Sequence, residues 1–582
     1  MSDRRWARPS AGREPAAAAL LGWLSDRYAP RLCLISGGAG CGKSALLAWL
    51  VGHASRADTA PQRVVHAFAP LAGLSTMGAV WTLAGQLGMA ARGPGELLAA
   101  LAADQRRTVI VLADLHAAAA PEELAELVLY LGELEHVRLI VEVRSSHAVL
   151  PPLAESLPSG AKPAVMDLDE AQWTDPVRYA AWHTDRASSP GLPTTSDDPF
   201  APPPDLADPA AVCAADPVRV TAAYEAGISE SRTGTSGIGI GTPGPSEYGG
   251  LRTAWLRAGQ SLLRDQTSAE RALVLLTALG DGADPRLRPQ VAELAAGASW
   301  QPVWNRVCGD ATPPWPGPVF AAAAGSGPLE GQALLADHQG VLRTVALADA
   351  APTGRLGQRV PRARALSTLP DGSTWVLDAQ GHLHTQQLPA ARPVSGLAAL
   401  LDDGPTVTEQ AAETLTEHLA RTPRTALAAT GNLAAVGDAT GTVHTITLNT
   451  PGDAPRTARL HEGRVTALCV VDVPVGEAGQ AIPLIYSGGS DGCIRAWAPD
   501  HEPLTTPVAE RPYPVVALSA SYPSVGVVLA VGWADGLVEY HGPDVDDIRT
   551  FHPGLPVNAL VVTPGGELLI GTDESLICLR PR

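Results

Sequence analysis

Short apolar runs alternate with amphipathic stretches from residue 31 to about residue 170. Arg31 to Ser36, Val64 to Phe68, Thr108 to Leu112 and Val137 to Val143 are apolar enough to be strands buried on both faces. The stretch Ser44 to Leu50 opens a helix, and Glu122 to Leu134 has helical periodicity. Buried strands alternating with helices predict a parallel sheet with crossover helices. From about residue 315 the texture changes. Apolar strand, glycine turn and second alternating strand recur six times, in segments ending at Leu347, Leu388, Leu448, Trp497, His541 and Leu579. The turn glycines are Gly340, Gly381, Gly441, Gly492 and Gly536, with Glu574 at that place in the last copy. Hairpins repeated at such a period, without helices, predict a β-propeller. The wide gap between Gly381 and Gly441 holds a helical bias around Glu409 to Leu419, read either as an elaborated connection or as a degenerate seventh blade.

The pattern divides the chain. Residues 1–30 form an arm and helix, 31–186 an α/β core, and 187–210 a Pro-rich linker. Residues 211–310 form a helical domain, with Ala269 to Leu279 its clearest helix, and 315–582 the propeller. A second low-complexity stretch spans 230–250.

The candidate chemistry lies just after the first strand. Gly37-Gly38-Ala39-Gly40-Cys41-Gly42-Lys43-Ser44 fits GxxxxGK[ST] in full, between a strand and a helix. Such a loop wraps backbone N–H groups around nucleotide phosphates, and the following helix adds the positive end of its dipole. The lysine reaches the β- and γ-phosphates, and the serine hydroxyl ligates Mg²⁺. Lys43 and Lys162 are the only lysines among 42 basic residues, so a lysine at this position is selective use of a compact ammonium. Two other glycine patterns lack the context their chemistry needs. Gly488 to Gly492 matches GxSxG but falls between two strands. Gly239 to Gly244 matches GxGxxG within a Ser/Gly/Pro loop.

Composition narrows the partners. A net charge of -18 argues against nonspecific binding to nucleic acid or acidic membranes, and Arg4, Arg5 and Arg8 read as a solvated tail. Seven scattered cysteines without a C-x-x-C pair argue against a disulfide framework or zinc site. The apolar run Ala16 to Leu24 is too short for a membrane span, and no targeting segment is visible, which points to the cytoplasm.

Several motifs together resemble the signal-transduction ATPases of the AAA-related, NACHT-like STAND class. Gly12-Arg13-Glu14 resembles that class's GRE box, and Val109 to His116 resembles its hhhhDDLH motif. Arg144 resembles the sensor arginine, and Met166 to Asp169 followed by Asp175-Pro176 resembles the segment leading into a helical lid. The resemblance implies that ATP and Mg²⁺ are bound, with Arg13 near the base, Ser44 and Asp114 at the metal, and Asp114 and Arg144 at the γ-phosphate. It also implies nucleotide-dependent self-association. The motif's first acidic place is Ala113 if Asp114 is the second; with a strand one residue longer, Asp114 is itself the metal-side carboxylate. Either way one carboxylate is missing, so binding is expected and hydrolysis is left open. The fourth hairpin copy resembles a WD repeat, with His461, Asp491-Gly492 and Trp497 in the places of that family's structural network. The expected protein is therefore an α/β P-loop ATPase core with a helical lid, followed by a propeller that binds a protein partner. A non-hydrolysing scaffold and a small-molecule kinase are the competing readings.

Overall fold

Leu32–Ser36 (β1) is buried on both faces, the situation of a central parallel strand. In the computed structural model it lies between Val137–Glu142 (β4) and Ala164–Asp167 (β5). Thr108–Ala113 (β3) and Ala67–Pro70 (β2) complete a five-stranded, all-parallel sheet in the order β2-β3-β4-β1-β5. The structure describes residues 9, 12–56, 59–155, 157–188, 204–233, 247–307, 318–356, 358–387, 406–448, 454–475, 480–523, 526–544 and 546–582. The Arg4–Arg8 patch, the core of the Pro-rich linker, the Gly239–Gly244 pattern, Cys308 and the start of the insertion after Gln387 lie outside them.

Helices flank and connect the strands. They are Glu14–Ser25 (α1), Lys43–Ala54 (α2), Thr76–Leu87 (α3), Pro94–Ala103 (α4), Pro121–Glu133 (α5), Leu150–Glu155 (α6) and Pro176–Ser188 (α7). Local chemistry sets their ends. α5 starts with proline and two glutamates, which suit the free N–H groups and positive end of a helix start. It turns Leu124, Leu127, Val128 and Leu131 inward. The predicted strand at Val64 to Phe68 starts later, at Ala67, because a 3-10 turn over Pro61–Arg63 precedes it. β5 was not anticipated as a strand. Among the described residues no helix is long and apolar enough to cross a membrane.

The chain forms two compact units, one covering essentially residues 1–242 and the other essentially the remainder. The helical stretch of 211–310 is divided between them. Pro209–Ala214 (α8) and Pro217–Thr233 (α9) belong to the first unit, where α9 meets α3 and Glu225 accepts the Met77 N–H at 3.3 Å. Leu251–Leu262 (α10), Ser268–Ala278 (α11) and Leu287–Leu294 (α12) belong to the second.

The second unit is built on a six-bladed β-propeller. Blade one is Val319–Ala324 (β7), Gln332–Asp337 (β8), Leu342–Ala346 (β9) and Pro352–Arg355 (β10). Blade two is Ala363–Thr368 (β11), Ser373–Asp378 (β12) and Leu383–Gln387 (β13). Blade three is Arg424–Ala429 (β14), Leu433–Asp438 (β15), Thr442–Thr447 (β16) and Arg456–Arg459 (β17). Blade four is Val465–Val475 (β18), Gln480–Gly489 (β19), Cys493–Trp497 (β20) and Ala509–Glu510 (β21). Blade five is Val515–Ser521 (β22), Val528–Trp533 (β23), Val538–His541 (β24) and Ile548–Phe551 (β25). Blade six is Val557–Val562 (β26), Leu568–Thr572 (β27) and Ser575–Pro581 (β28), completed by Trp300–Val307 (β6).

β6 corrects the expected boundary. The strand that closes the ring comes from the segment assigned by sequence to the helical domain. Pairing it with β28 removes two open strand edges, which would otherwise invite association. Asn305 of β6 also donates to Thr277 O at 3.0 Å and Leu279 O at 2.8 Å, tying α11 to the closing strand.

The insertion is not a seventh blade. Val407–His418 is a helix, started by a capping box between Thr406 and Glu409. It buries Ala411, Ala412 and Leu415 between blades two and three. The predicted turn glycines have φ between 74° and 93°, as the hairpins require. In the last copy Glu574 pairs with Arg257 at 2.9 Å.

All six innermost strands begin with a register shift, after Val319, Ala363, Arg424, Val465, Val515 and Val557. On the second strands, Gly437, Gly488, Gly532 and Gly571 lie beneath the starting valine of the following blade, with blade six facing blade one. A Cβ at Gly437 or Gly488 would stand 2.7 Å from the Cβ of Val465 or Val515. In blade four, His461 Nδ1 meets Asp491 at 3.1 Å and His461 Nε2 meets Ser487 Oγ at 2.9 Å. The Trp497 indole departs from the expected network and donates to His501 O at 2.9 Å.

Candidate functional site

The sheet order reverses at β1: the chain leaves it for β2, beyond β4 and β3, and later returns to β5 on its other side. In open parallel sheets a ligand crevice forms outside the carboxyl end of such a strand. The loop Gly37 to Ser44 stands there, between β1 and α2. Gly37 has φ 147°, and a Cβ there would lie 2.6 Å from Cys41 Sγ. Gly42 has φ 95° and begins α2 without a side-chain cap, so the first-turn N–H groups of α2 are presented along the loop.

Three side chains fix the loop. Lys43 is 5% exposed, and its Nζ donates to Gly37 O at 2.9 Å and Gly38 O at 2.8 Å. Asp169, just beyond β5, accepts the Gly38 N–H through Oδ2 at 2.8 Å. Arg13 is 1% exposed and reaches Cys41 O at 3.0 Å, Leu168 O at 2.8 Å and Thr174 Oγ1. Its guanidinium also lies 5.1 Å from the Tyr179 ring centroid. Arg13 thus braces the loop from beneath, with donors committed to protein acceptors.

Around Ser44 the site turns acidic. Ser44 Oγ donates to Glu142 Oε1 at 3.1 Å. Glu142 ends β4, is 1% exposed, and has no hydrogen-bond partner at Oε2 among the described residues. Burial first, then the charge of Asp114, pushes its carboxyl up to about 7; the Ser44 hydroxyl, Lys43 and the Asp114 N–H oppose the rise. Asp114 follows β3 in the left-handed region, φ 55°, where aspartate is tolerated better than most residues. Ala113 is inside the strand, paired with Pro70 and 4% exposed, so Asp114 is the first residue beyond it. His116 is pushed below the usual histidine range by burial, then by Arg144. Arg144 itself is exposed, two residues beyond the end of β4.

The predicted residues Gly37, Gly38, Ala39, Gly40, Cys41, Gly42, Lys43 and Ser44 therefore share one loop, with Asp114 and Arg144 at neighbouring strand ends. Arg13 lies under the loop. Glu142 was missed. Its signal in the sequence is a carboxylate inside an apolar run that a parallel sheet buries.

The arrangement joins two chemistries. Loop N–H groups and a buried ammonium suit an oxyanion, while a hydroxyl bonded to a buried carboxylate suits a hard cation with oxygen ligands. A group of three or more His, Cys, Asp or Glu side chains placed to hold a metal does not occur among the described residues, so any cation here would need a ligand's oxygens as well. In the second unit the six innermost strands line a central cavity of about 660 Å³, walled mainly by alanines with leucines, valines, threonines and serines, and with Arg364, Asn432, Asp472 and Asn558 among its polar groups. No protein-family model and no curated protein matches the chain.

Proposed function

We propose that the first unit binds ATP with Mg²⁺ and that its nucleotide state regulates engagement of a protein partner by the propeller. The observation that carries this reading is a complete GxxxxGKS loop at the reversal point of a parallel sheet, with its lysine buried and its serine bonded to a buried carboxylate. Lys43 exchanges the Gly37 and Gly38 carbonyls for phosphate oxygens. The N–H groups from Gly38 to Ser44 hold the phosphates, and Asp169 leaves the Gly38 N–H as they enter. Ser44 and Asp114 hold Mg²⁺. When bound, that ion neutralises charge on the phosphate oxygens and fixes their geometry. Arg144 faces the γ-phosphate, and Asp114 orients water if hydrolysis occurs. Helices α7 to α9 supply the lid in this reading, and the propeller rim supplies the partner surface. Binding shifts the protein between states only through a difference in affinity for them.

Ala113 supports a second reading, in which ATP is bound but not hydrolysed and adds stability by mass action. ATP binding and steady-state turnover with Mg²⁺, measured beside Lys43→Ala, separate the two. Binding and turnover that both vanish in the variant support the switch. Binding without turnover supports the scaffold. A wild-type protein that does not bind ATP refutes both.

A further inference from the structure

We propose that Glu142 is the second carboxylate of the divalent-cation site, supplied from β4 because β3 carries Ala113 where an acidic residue would stand. The proposal rests on the Mg²⁺–nucleotide reading of the same loop. Three observations point to it.

The first is Ser44. The loop serine is the hydroxyl placed to ligate the cation, and in this chain the oxygen holding it is Glu142 Oε1, at 3.1 Å. The partner that orients a metal ligand is part of the metal site's design. The second is Oε2, buried without a partner in a residue that is 1% exposed. A buried carboxylate oxygen left unmatched is costly, and a hard cation is the chemical group that would match it. The third is placement: Glu142 ends β4, which lies between β1, the strand leading into the loop, and β3, the strand that Asp114 follows. Glu142 thereby presents Oε2 to the cation while aiming the Ser44 hydroxyl at the same point.

The test is the affinity of the full-length protein for a fluorescent ATP analogue, titrated in excess Mg²⁺ and again in EDTA. Wild type, Glu142→Gln and Lys43→Ala are compared. Wild type is expected to bind more tightly with Mg²⁺. Glu142→Gln is expected to lose at least ~10-fold of that gain, the usual penalty for removing a ligand or its orienting partner. In EDTA it binds as well as wild type or better, because a negative charge facing the phosphates has gone. That arm also reports that the variant is folded. Lys43→Ala loses affinity in both conditions. A Glu142→Gln protein with the full wild-type Mg²⁺ gain overturns the assignment while leaving the nucleotide reading intact. Wild type that binds in neither condition overturns the nucleotide reading, and the assignment with it.

Discussion

Gly488 and Val515 offer a direct test of how the blades are fitted together. A methyl group on Gly488 would stand 2.7 Å from Val515 Cβ and closer still to Cγ1. Val515 is fully buried and β-branched, so it cannot swing aside. Overpacking of this kind costs about 1–3 kcal/mol, partly offset by about 0.5–1 kcal/mol from the reduced freedom of the unfolded chain. Gly488→Ala should therefore destabilise this part of the propeller by about 1–2 kcal/mol. Gly532→Ala should cost less than about 1 kcal/mol, because its nearest neighbour, Val557 Cγ1, is 3.2 Å away and can yield slightly. Val515→Ala removes two buried methyl groups and should cost about 2–3 kcal/mol. The double variant Gly488→Ala/Val515→Ala should cost about 1–2 kcal/mol less than the sum, since each change makes room for the other. The chain already contains that solution: at the equivalent register, Ala336 of blade one precedes a blade that starts with Ala363. Hydrogen exchange of the β18, β19 and β22 amides reads local opening energies within the intact protein. Additive costs, or equal costs at Gly488 and Gly532, would refute the fitted-pair reasoning.

Three further outcomes follow from the first unit. Glu142 holds its proton up to about pH 7 when folded, against 4.5 for the free group, so its contribution is full below about pH 4.5 and is lost as pH rises. Stability should fall by roughly 1.4 kcal/mol per pH unit across that window, about 3 kcal/mol in all, and Glu142→Gln should remove the slope; equal urea-midpoint shifts between pH 5 and pH 8 in both proteins would count against it. Arg13→Lys cannot span the carbonyls of Cys41 and Leu168 together. It should destabilise the nucleotide-free first unit by about 2–4 kcal/mol, and an unchanged melting curve would show that Arg13 is no brace. Asp169→Asn removes a charge from the Gly38 N–H and should tighten ATP binding several-fold, whereas weaker binding would mean that Asp169 supports the loop.

What the sequence revealed follows from how local each feature is. The loop Gly37 to Ser44 was legible because its strand, glycines, lysine and helix are contiguous. The hairpins were legible because each sets two alternating strands around a glycine with positive φ. They prove to be mostly the second and third strands of the blades. Innermost strands such as Val319–Ala324 are runs of small residues, and outermost strands such as Pro352–Arg355 and Arg456–Arg459 are short and exposed, so these carry no strong alternation. Glu142 was hidden for another reason. Its role depends on β4 lying beside both β1 and β3, and sheet order is a property of tertiary pairing. β6 was hidden by both causes, because its partner lies nearly half the chain away and Pro302 weakens its strand signal.

That distant pairing makes the second unit's integrity depend on the order of synthesis. β6 leaves the ribosome ahead of all the other blade strands, and its partner Ser575–Pro581 is made last. Until then the nascent ring carries two unpaired edges, one on β6 and one on the most recent strand. A chain interrupted anywhere before Ser575 keeps β6 as an exposed strand seeking a partner. The closing pair therefore cannot form until the last blade strand has been made, and up to that point both edges stay open to other partners.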